Sequence, residues 1–331
     1  MSVLASLIPV IAKVPYLLPK RLCLMLCSNK TMLNMKMAVR KSFDTKNRKN
    51  LAFNYISFKF LQVYIKWLYN SKNIERHHKY ICDNLIEVKL SHNFKESLKS
   101  KRPTLILMTH SGFHYLGAVP FSEVLEEINR DITCFMASDK LVKDNSFHID
   151  LLSKYKNINV ALNNRKDLIH SFKKLKSGGC LSLYVDVFNV SGSFSVTKVF
   201  NEIYPSMLGA AYFISKLEDV DIIMPTSYWD NGKIIFESGE LININKPFSG
   251  NIRAINDEIF RNFESVIASN PYSWEFISEL HKHIHGKYEI DFKNESLLEL
   301  LSKIEKSNLH WQKSVNKITD IITNADVWKV D

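Results

Sequence analysis

The sequence predicts an α/β protein, a mixed central sheet with helices on both faces, behind a helical N-terminal region. Three observations predict it. After Pro103, short apolar runs rich in branched residues alternate with helical stretches. Before Pro103, apolar residues recur at three- and four-residue spacing, the helical period. The chain of 331 residues is 46% hydrophobic with only ten glycines and nine prolines, enough apolar side chains for a sizeable core. No repeat and no Pro/Gly/Ser-rich linker divides it, so one large domain is the simplest organisation.

From the N-terminus, residues 1–100 are expected to form a basic, amphipathic, helical region packed on the core. Within it Phe53, Ile56, Phe60, Tyr64, Trp67 and Leu68 read as one apolar stripe turned into the core, with lipid or acyl-chain contact as the alternative. Residues 101–290 hold the α/β core. Its strands are expected at 104–108, 132–137, 158–162, 180–185 and 222–225, with helices near 114–128, 139–155 and 164–176 between the first four. Further strands are expected at 194–200 and 233–238, the latter entered through the Asp230-Asn231-Gly232 turn. Residues 291–331 are expected to add a C-terminal helical extension.

Charge is unevenly spread. Residues 1–60 contain eleven Lys or Arg and a single acid, Asp44, a net charge of +10 that equals that of the whole chain. The same segment carries Leu4, Leu7, Ile8, Val10, Ile11, Leu17 and Leu18, a composition suited to an amphipathic helix on anionic lipid, although a core helix with a solvated basic face has it too. Lys13, Pro15, Pro19, Lys20 and Arg21 interrupt the apolar run, which favours attachment at the interface over a span. The run lacks a preceding basic segment and a small-residue cleavage site, so a secretory signal is not expected, and the protein is placed on the cytoplasmic side. Five cysteines without C-x-x-C or zinc spacing predict buried, reduced thiols. Despite a pI near 9.2, no nucleic-acid motif is present and no nucleic-acid partner is expected.

In such folds chemistry gathers at the carboxyl ends of the strands. The loop Thr109-His110-Ser111-Gly112-Phe113-His114 follows the first strand and is expected to open a helix. His110 would then sit at a strand end facing a helix N-terminus, where an imidazole takes a proton from a hydroxyl or amine while nearby amides steady an oxyanion. A structural histidine is the alternative. Arg165 could contact a phosphate or simply begin a helix, and Asp186 at a strand end could serve the site or cap a helix. His281, His283 and His285 alternate near the C-terminus, but without acids at ligand spacing a solvated loop is expected rather than a metal site.

The segment Leu105-Ile-Leu-Met-Thr-His110-Ser-Gly-Phe-His-Tyr115 resembles the strand and H-x-G-N-W-E signature of the lipid A lauroyl and myristoyl acyltransferases, relatives of the H-x4-D glycerolipid acyltransferases. Further blocks follow in family order. Arg165-Lys-Asp-Leu-Ile and the strand ending at Asp186 are similar to its arginine and Asp-Gln blocks. Val196 to Phe200 with Pro205-Ser206-Met-Leu-Gly209 resembles its V-x-F-F-G strand and following helix start, and Asp221-Ile-Ile-Met-Pro225 its V-V-P strand. Leu18-Pro19-Lys-Arg-Leu, Ala38 to Asp44 and Asn270-Pro271-Tyr-Ser-Trp274 match its flanking segments, so the resemblance spans about residues 15–285.

The resemblance implies a glycerolipid-acyltransferase-like core. It also implies transfer of a fatty acyl group from an acyl carrier protein or CoA thioester to a hydroxyl at the cytoplasmic face of the inner membrane, with no metal or redox cofactor; an amine, which attacks a thioester with less need for a base, is the alternative acceptor. It casts His110 as general base; the further candidates named on this chain are His114 and Arg165 as catalytic residues and Ser111, Gly112, Tyr115, Asp186, Ser206 and Gly209 around the substrate. The basic N-terminal segment would meet anionic lipid or an acidic carrier protein. One departure bears on mechanism. The fifth residue after His110 is Tyr115 where the family has Glu or Asp, and loss of the orienting carboxylate costs triad enzymes about 10⁴-fold. Phe113, His114 and Val187 also depart from the pattern. Three readings follow: an active acyltransferase in which His114 or an acid from elsewhere assists His110, an acyltransferase-like protein that only binds lipid or carrier protein, or another thioester chemistry.

Overall fold

The computed structural model describes residues 3–18, 22, 26–27, 29–39, 51–136, 149, 152–162, 164–186, 194–200, 202–244, 252–280, 309–312, 317–320 and 326–329. The segment 41–50, most of the expected helix at 139–155, Val187 and the histidines 281, 283 and 285 lie outside the described residues.

The strands are β1 (Ile86–Lys89), β2 (Thr104–Met108), β3 (Ile132–Met136), β4 (Ile158–Leu162), β5 (Cys180–Tyr184), β6 (Phe194–Val199), β7 (Glu202–Met207), β8 (Asp221–Ile223), β9 (Thr226–Asp230), β10 (Lys233–Glu237), β11 (Leu309–Gln312), β12 (Lys317–Asp320) and β13 (Asp326–Lys329). The central sheet has the order β4-β3-β5-β2-β8 and is parallel throughout. Mixed pairing is found instead in a second sheet, β1-β10-β9, where β1 runs parallel and β9 antiparallel to β10. β6 and β7 form an antiparallel pair of their own.

All five residues of β2 are buried, the property of a parallel strand covered on both faces. Side chains alternate between two cores. Leu105, Leu107, Leu181 and Leu183 join the helices Asn29–Val39, Gly209–Ser215 and Ile252–Ser269 on one face. Ile106, Met108, Ile132 and Ile223 join the helices Leu51–Tyr69, Ile74–Leu85, His92–Ser100 and Val119–Glu127 on the other. At the amino edge of the sheet the buried Arg130 guanidinium donates to the carbonyls of Leu98, Arg102 and Gly178 at 2.8–2.9 Å, fastening the chain ahead of β2 and β5. Cys134 and Cys180 are buried free thiols whose ionisation burial pushes up to about 12 and about 11.

The N-terminal region differs from expectation in its details. Residues 3–17 form short turns of helix, with Ala5, Ile8 and Ala12 buried beside Phe58, Leu61 and Ile65. In the helix Leu51–Tyr69 the buried line runs through Phe58, Leu61, Ile65 and Leu68, whereas Phe60 and Trp67 of the expected core stripe are exposed. The spacing is helical and Ile56 and Leu68 of the stripe are buried as expected, but the buried face is centred away from Phe60 and Trp67. The expected helical extension at 291–331 is also corrected: over 309–329 the described residues form the antiparallel sheet β11-β12-β13. Trp311, Ile318, Thr319, Val327 and Trp328 are residue types that favour strands.

One buried group yields a stability prediction. His78 lies between two phenols, with Nδ1 3.0 Å from the Tyr69 hydroxyl and Nε2 2.6 Å from that of Tyr155. Burial, and then the charge of Lys154, push its pKa down to about 4. The unfolded chain therefore binds a proton at this site that the folded chain refuses. Folding stability falls as pH drops from about 6.5 toward 4, by roughly 3 kcal/mol in all. In urea melts, His78→Gln is expected to flatten this acid loss relative to the wild type; an unchanged slope would refute the assignment.

Candidate active site

The parallel register fixes the centre of the site. β2 pairs with β5 up to Met108 opposite Tyr184, and the Val185 amide donates to the Met108 carbonyl at 3.0 Å. Two residues further along both chains stand His110 and Asp186, at the carboxyl edge of the sheet. The Asp186 side chain is buried, and its Oδ1 lies 2.7 Å from His110 Nδ1. Its Oδ2 accepts the His110 backbone N–H at 2.7 Å and the Trp274 indole N–H at 2.9 Å. A carboxylate only accepts, so Nδ1 carries the proton and Nε2 the basic lone pair. Among the described residues Nε2 has no hydrogen-bond partner, and the imidazole is one-fifth exposed.

Electrostatics follow from this packing. Burial pushes the His110 pKa down, but the carboxylates of Asp186 and Glu275 outweigh it and Lys66 opposes them weakly, so the net shift is upward from 6.5. Aromatic rings enclose the imidazole, with the centroids of Tyr184 and Phe276 at 4.3 and 5.1 Å. Burial also raises the Tyr184 phenol far above its usual range, and its hydroxyl donates to the His114 carbonyl at 2.8 Å.

The segment around Trp274 holds the loop from the other side. Ser111 and Trp274 form an antiparallel bridge, in which the Gly112 amide donates to the Ser273 carbonyl at 3.0 Å and the Glu275 amide to the His110 carbonyl at 2.8 Å. Phe113 donates its amide to Ser227 Oγ at 2.7 Å. Gly112 has φ +62°, and a Cβ there would lie 1.9 Å from the Ser227 carbonyl oxygen. The expectation that this loop opens a helix, with amides facing the substrate, is corrected. The loop leads instead into a 3₁₀ turn at His114–Leu116, the next helix starts at Val119, and the amides of His110, Gly112 and Phe113 are spent on Asp186, Ser273 and Ser227.

The other residues singled out in the sequence divide into two groups. His114 is brought to the site: its ring centroid is 5.0 Å from that of His110, and its Nε2 lies 3.3 Å from Glu275 Oε2. Glu275 also pairs with Lys66 at 3.5 Å. Ser111 is buried, its hydroxyl 2.6 Å from that of Thr109. Tyr115 is corrected from substrate contact to core. It is buried in the cluster of the Leu51–Tyr69 face, its ring 6.1 Å from Phe113 and 6.4 Å from Tyr69. Arg165 is exposed at the start of the helix Arg165–Lys176 after β4. β4 lies three strand steps from β2, roughly 14 Å across the sheet, so Arg165 shares the carboxyl edge without joining the dyad. Ser206 is buried and accepts from Asn256 Nδ2 at 2.6 Å, a structural tie to the helix Ile252–Ser269. Gly209 is exposed, and a methyl group in place of its hydrogen would meet nothing within 4 Å, so close packing does not explain it.

Sequence reasoning alone misses Trp274 and Glu275 as site residues, although the Asn270 to Trp274 block is one of the segments on which the resemblance rests. The available signal is chemical: a buried indole N–H needs an acceptor. No group of three or more metal-ligating residues occurs among the described residues. No protein-family model matches the chain, and no curated protein matches it either.

Proposed function

We propose that this protein is an acyltransferase that moves a fatty acyl group from an acyl carrier protein or CoA thioester to a hydroxyl or amine acceptor at a membrane surface. The single observation that carries the reading is the His110–Asp186 pair at the carboxyl edge of the sheet, together with the acyltransferase-like motif in which His110 stands.

In this reading the acceptor O–H or N–H gives its proton to His110 Nε2 as its oxygen or nitrogen attacks the thioester carbonyl. Asp186 holds the imidazole in the Nδ1–H tautomer and supports the imidazolium that forms. Collapse of the tetrahedral intermediate breaks the C–S bond, and the departing thiolate recovers the proton from His110. Atoms and charge balance without another reagent. Tyr115 on its own suggests an impaired site, because it stands where the family has an acid. Asp186 meets that need from the neighbouring strand, which favours turnover over mere binding. The basic N-terminal segment is the element we assign to anionic lipid and to the acidic face of a carrier protein.

The test is release of free thiol from long-chain acyl carrier protein and acyl-CoA by the purified protein, with acylated acceptor followed by mass spectrometry. We expect multiple turnovers and their loss in His110→Ala. Co-purified lipid with no turnover on any thioester would contradict the catalytic reading in favour of binding alone.

A further inference from the structure

The carboxylate of Asp186 is shared by three N–H donors. Its Oδ1 faces His110 Nδ1, and its Oδ2 takes the His110 backbone N–H and the Trp274 indole N–H. An aspartate carboxylate turns about a broad, roughly two-fold torsion, so a buried one points where its partners hold it. Two of the three donors belong to His110 and move with it. Of the three, the indole N–H is the one that fixes the carboxylate independently of the base it serves.

Trp274 is itself held in place. It is fully buried, and its ring meets Phe263 of the helix Ile252–Ser269 edge-on, with centroids 5.5 Å apart, and Phe276 edge-on at 6.1 Å. Its chain neighbours grip the other half of the dyad. The Ser273 carbonyl accepts the Gly112 N–H, the Glu275 N–H donates to the His110 carbonyl, and the Phe276 ring lies 5.1 Å from the imidazole. Asn34 Nδ2 ties the same segment down by donating to the Ile277 carbonyl at 2.8 Å. One short segment thus reaches Asp186 through a side chain and His110 through the backbone. It fixes the two against each other although they follow different strands, β5 and β2.

Packing alone does not call for a tryptophan here. Phenylalanine would fill most of the space, whereas an indole brings a donor into a buried place, where it needs an acceptor. That acceptor is the carboxylate that orients the base, and a charged acceptor makes the bond strong and directional. Glu275 is less suited to the same task, because its carboxylate is one-third exposed and divided between His114 and Lys66.

We propose that Trp274 is a positioning residue for the base, its indole N–H locking the Asp186 carboxylate in the rotation that turns Oδ1 toward His110 Nδ1. The role lies in the geometry of the dyad, and its effect on turnover rests on the acyl-transfer reading. Without the indole N–H the carboxylate swings and the Nδ1–H tautomer loses its hold. Part of the imidazole population then carries its proton on Nε2, the nitrogen that has to receive one.

The experiment replaces Trp274 of the full chain with benzothienylalanine, which keeps the bicyclic shape and puts sulfur where the N–H stood, and sets it beside Trp274→Phe. Each protein is followed by nitrogen NMR of the His110 imidazole across pH, a readout that needs no substrate, with the signals assigned by their absence in His110→Ala. Each is also assayed for kcat and KM on one acyl-CoA. The wild type should show the Nδ1–H tautomer above its titration. The sulfur analogue is expected to show a mixture of tautomers, a titration midpoint moved to lower pH, and a kcat about tenfold lower at unchanged KM. Trp274→Phe should add a lowered melting temperature to the same signature. An analogue with the wild-type tautomer and midpoint would overturn the proposal whatever its melting temperature, leaving Trp274 a packing residue. A midpoint that rises would overturn it as well, because the indole would then compete with His110 for the carboxylate instead of aiming it. Tautomer and midpoint shifts in the analogue, with no thioester turnover by the wild type, would uphold the positioning role and sink the acyl-transfer reading alone.

Discussion

Asp186→Asn is expected to lower the rate of thioester turnover by about 10³- to 10⁴-fold while leaving the fold in place. The side chain keeps its shape, and its carbonyl can still accept from the His110 backbone or the Trp274 indole. Its amide nitrogen, turned toward His110 Nδ1, would donate where the carboxylate accepts. The imidazole would then hold its proton on Nε2, the nitrogen that has to receive one from the acceptor. The pH profile separates this effect from simple damage. A general base works as neutral imidazole, so the rate rises with pH through the His110 pKa. In the wild type that acid limb lies above 6.5, because Asp186 and Glu275 outweigh burial. Without the Asp186 charge, burial dominates and the limb moves to lower pH even as the plateau drops. A profile that falls in height without moving would contradict the dyad.

The same pair leaves a mark on stability. His110 holds its proton more tightly folded than unfolded, so its contribution is complete below pH 6.5 and is lost as pH rises through the folded value. Asp186→Asn removes this contribution.

Gly112→Ala is expected to destabilise the protein by about 3 kcal/mol or more and to lower turnover by about 10²-fold. Two effects add. The backbone at φ +62° is one that alanine adopts at a cost, and the new methyl would sit 1.9 Å from the Ser227 carbonyl oxygen. That oxygen belongs to backbone in β9, so the loop has to yield. Yielding loosens the Gly112–Ser273 and Phe113–Ser227 bonds, which set the height of His110 against Asp186. The checks are a thermal melt and kcat/KM on one acyl-CoA. A variant with wild-type melting temperature and rate would show that the loop tolerates movement and that the dyad does not depend on its seat.

Much of the scaffold is legible in the sequence because buried parallel strands leave a plain mark. The apolar runs ending at Met108 and Tyr184 stand out, and with them His110 and Asp186 as residues just past strand ends. Their partnership is not legible. It depends on β5 lying beside β2 in the order β4-β3-β5-β2-β8, a neighbour relation that local sequence does not encode. Counting along the chain leads instead to Tyr115, which packs into the core. The helix Leu51–Tyr69 is recognisable by its period, but Phe60 and Trp67 are expected inward because they share the three- and four-residue spacing of Ile56, Tyr64 and Leu68. Its true phase is set by Phe58, Leu61, Ile65 and Leu68. Ser206 and Gly209 draw attention through the resemblance alone; one is tied to Asn256 and the other faces solvent.

The most direct test of the central claim, that His110 oriented by Asp186 is the base for acyl transfer, is the rate of thiol release from a long-chain acyl thioester by wild type and His110→Ala at matched fold and concentration. Sustained release by the wild type and a loss of about 10³-fold or more in the variant are expected. Equal rates in the two proteins would contradict that claim.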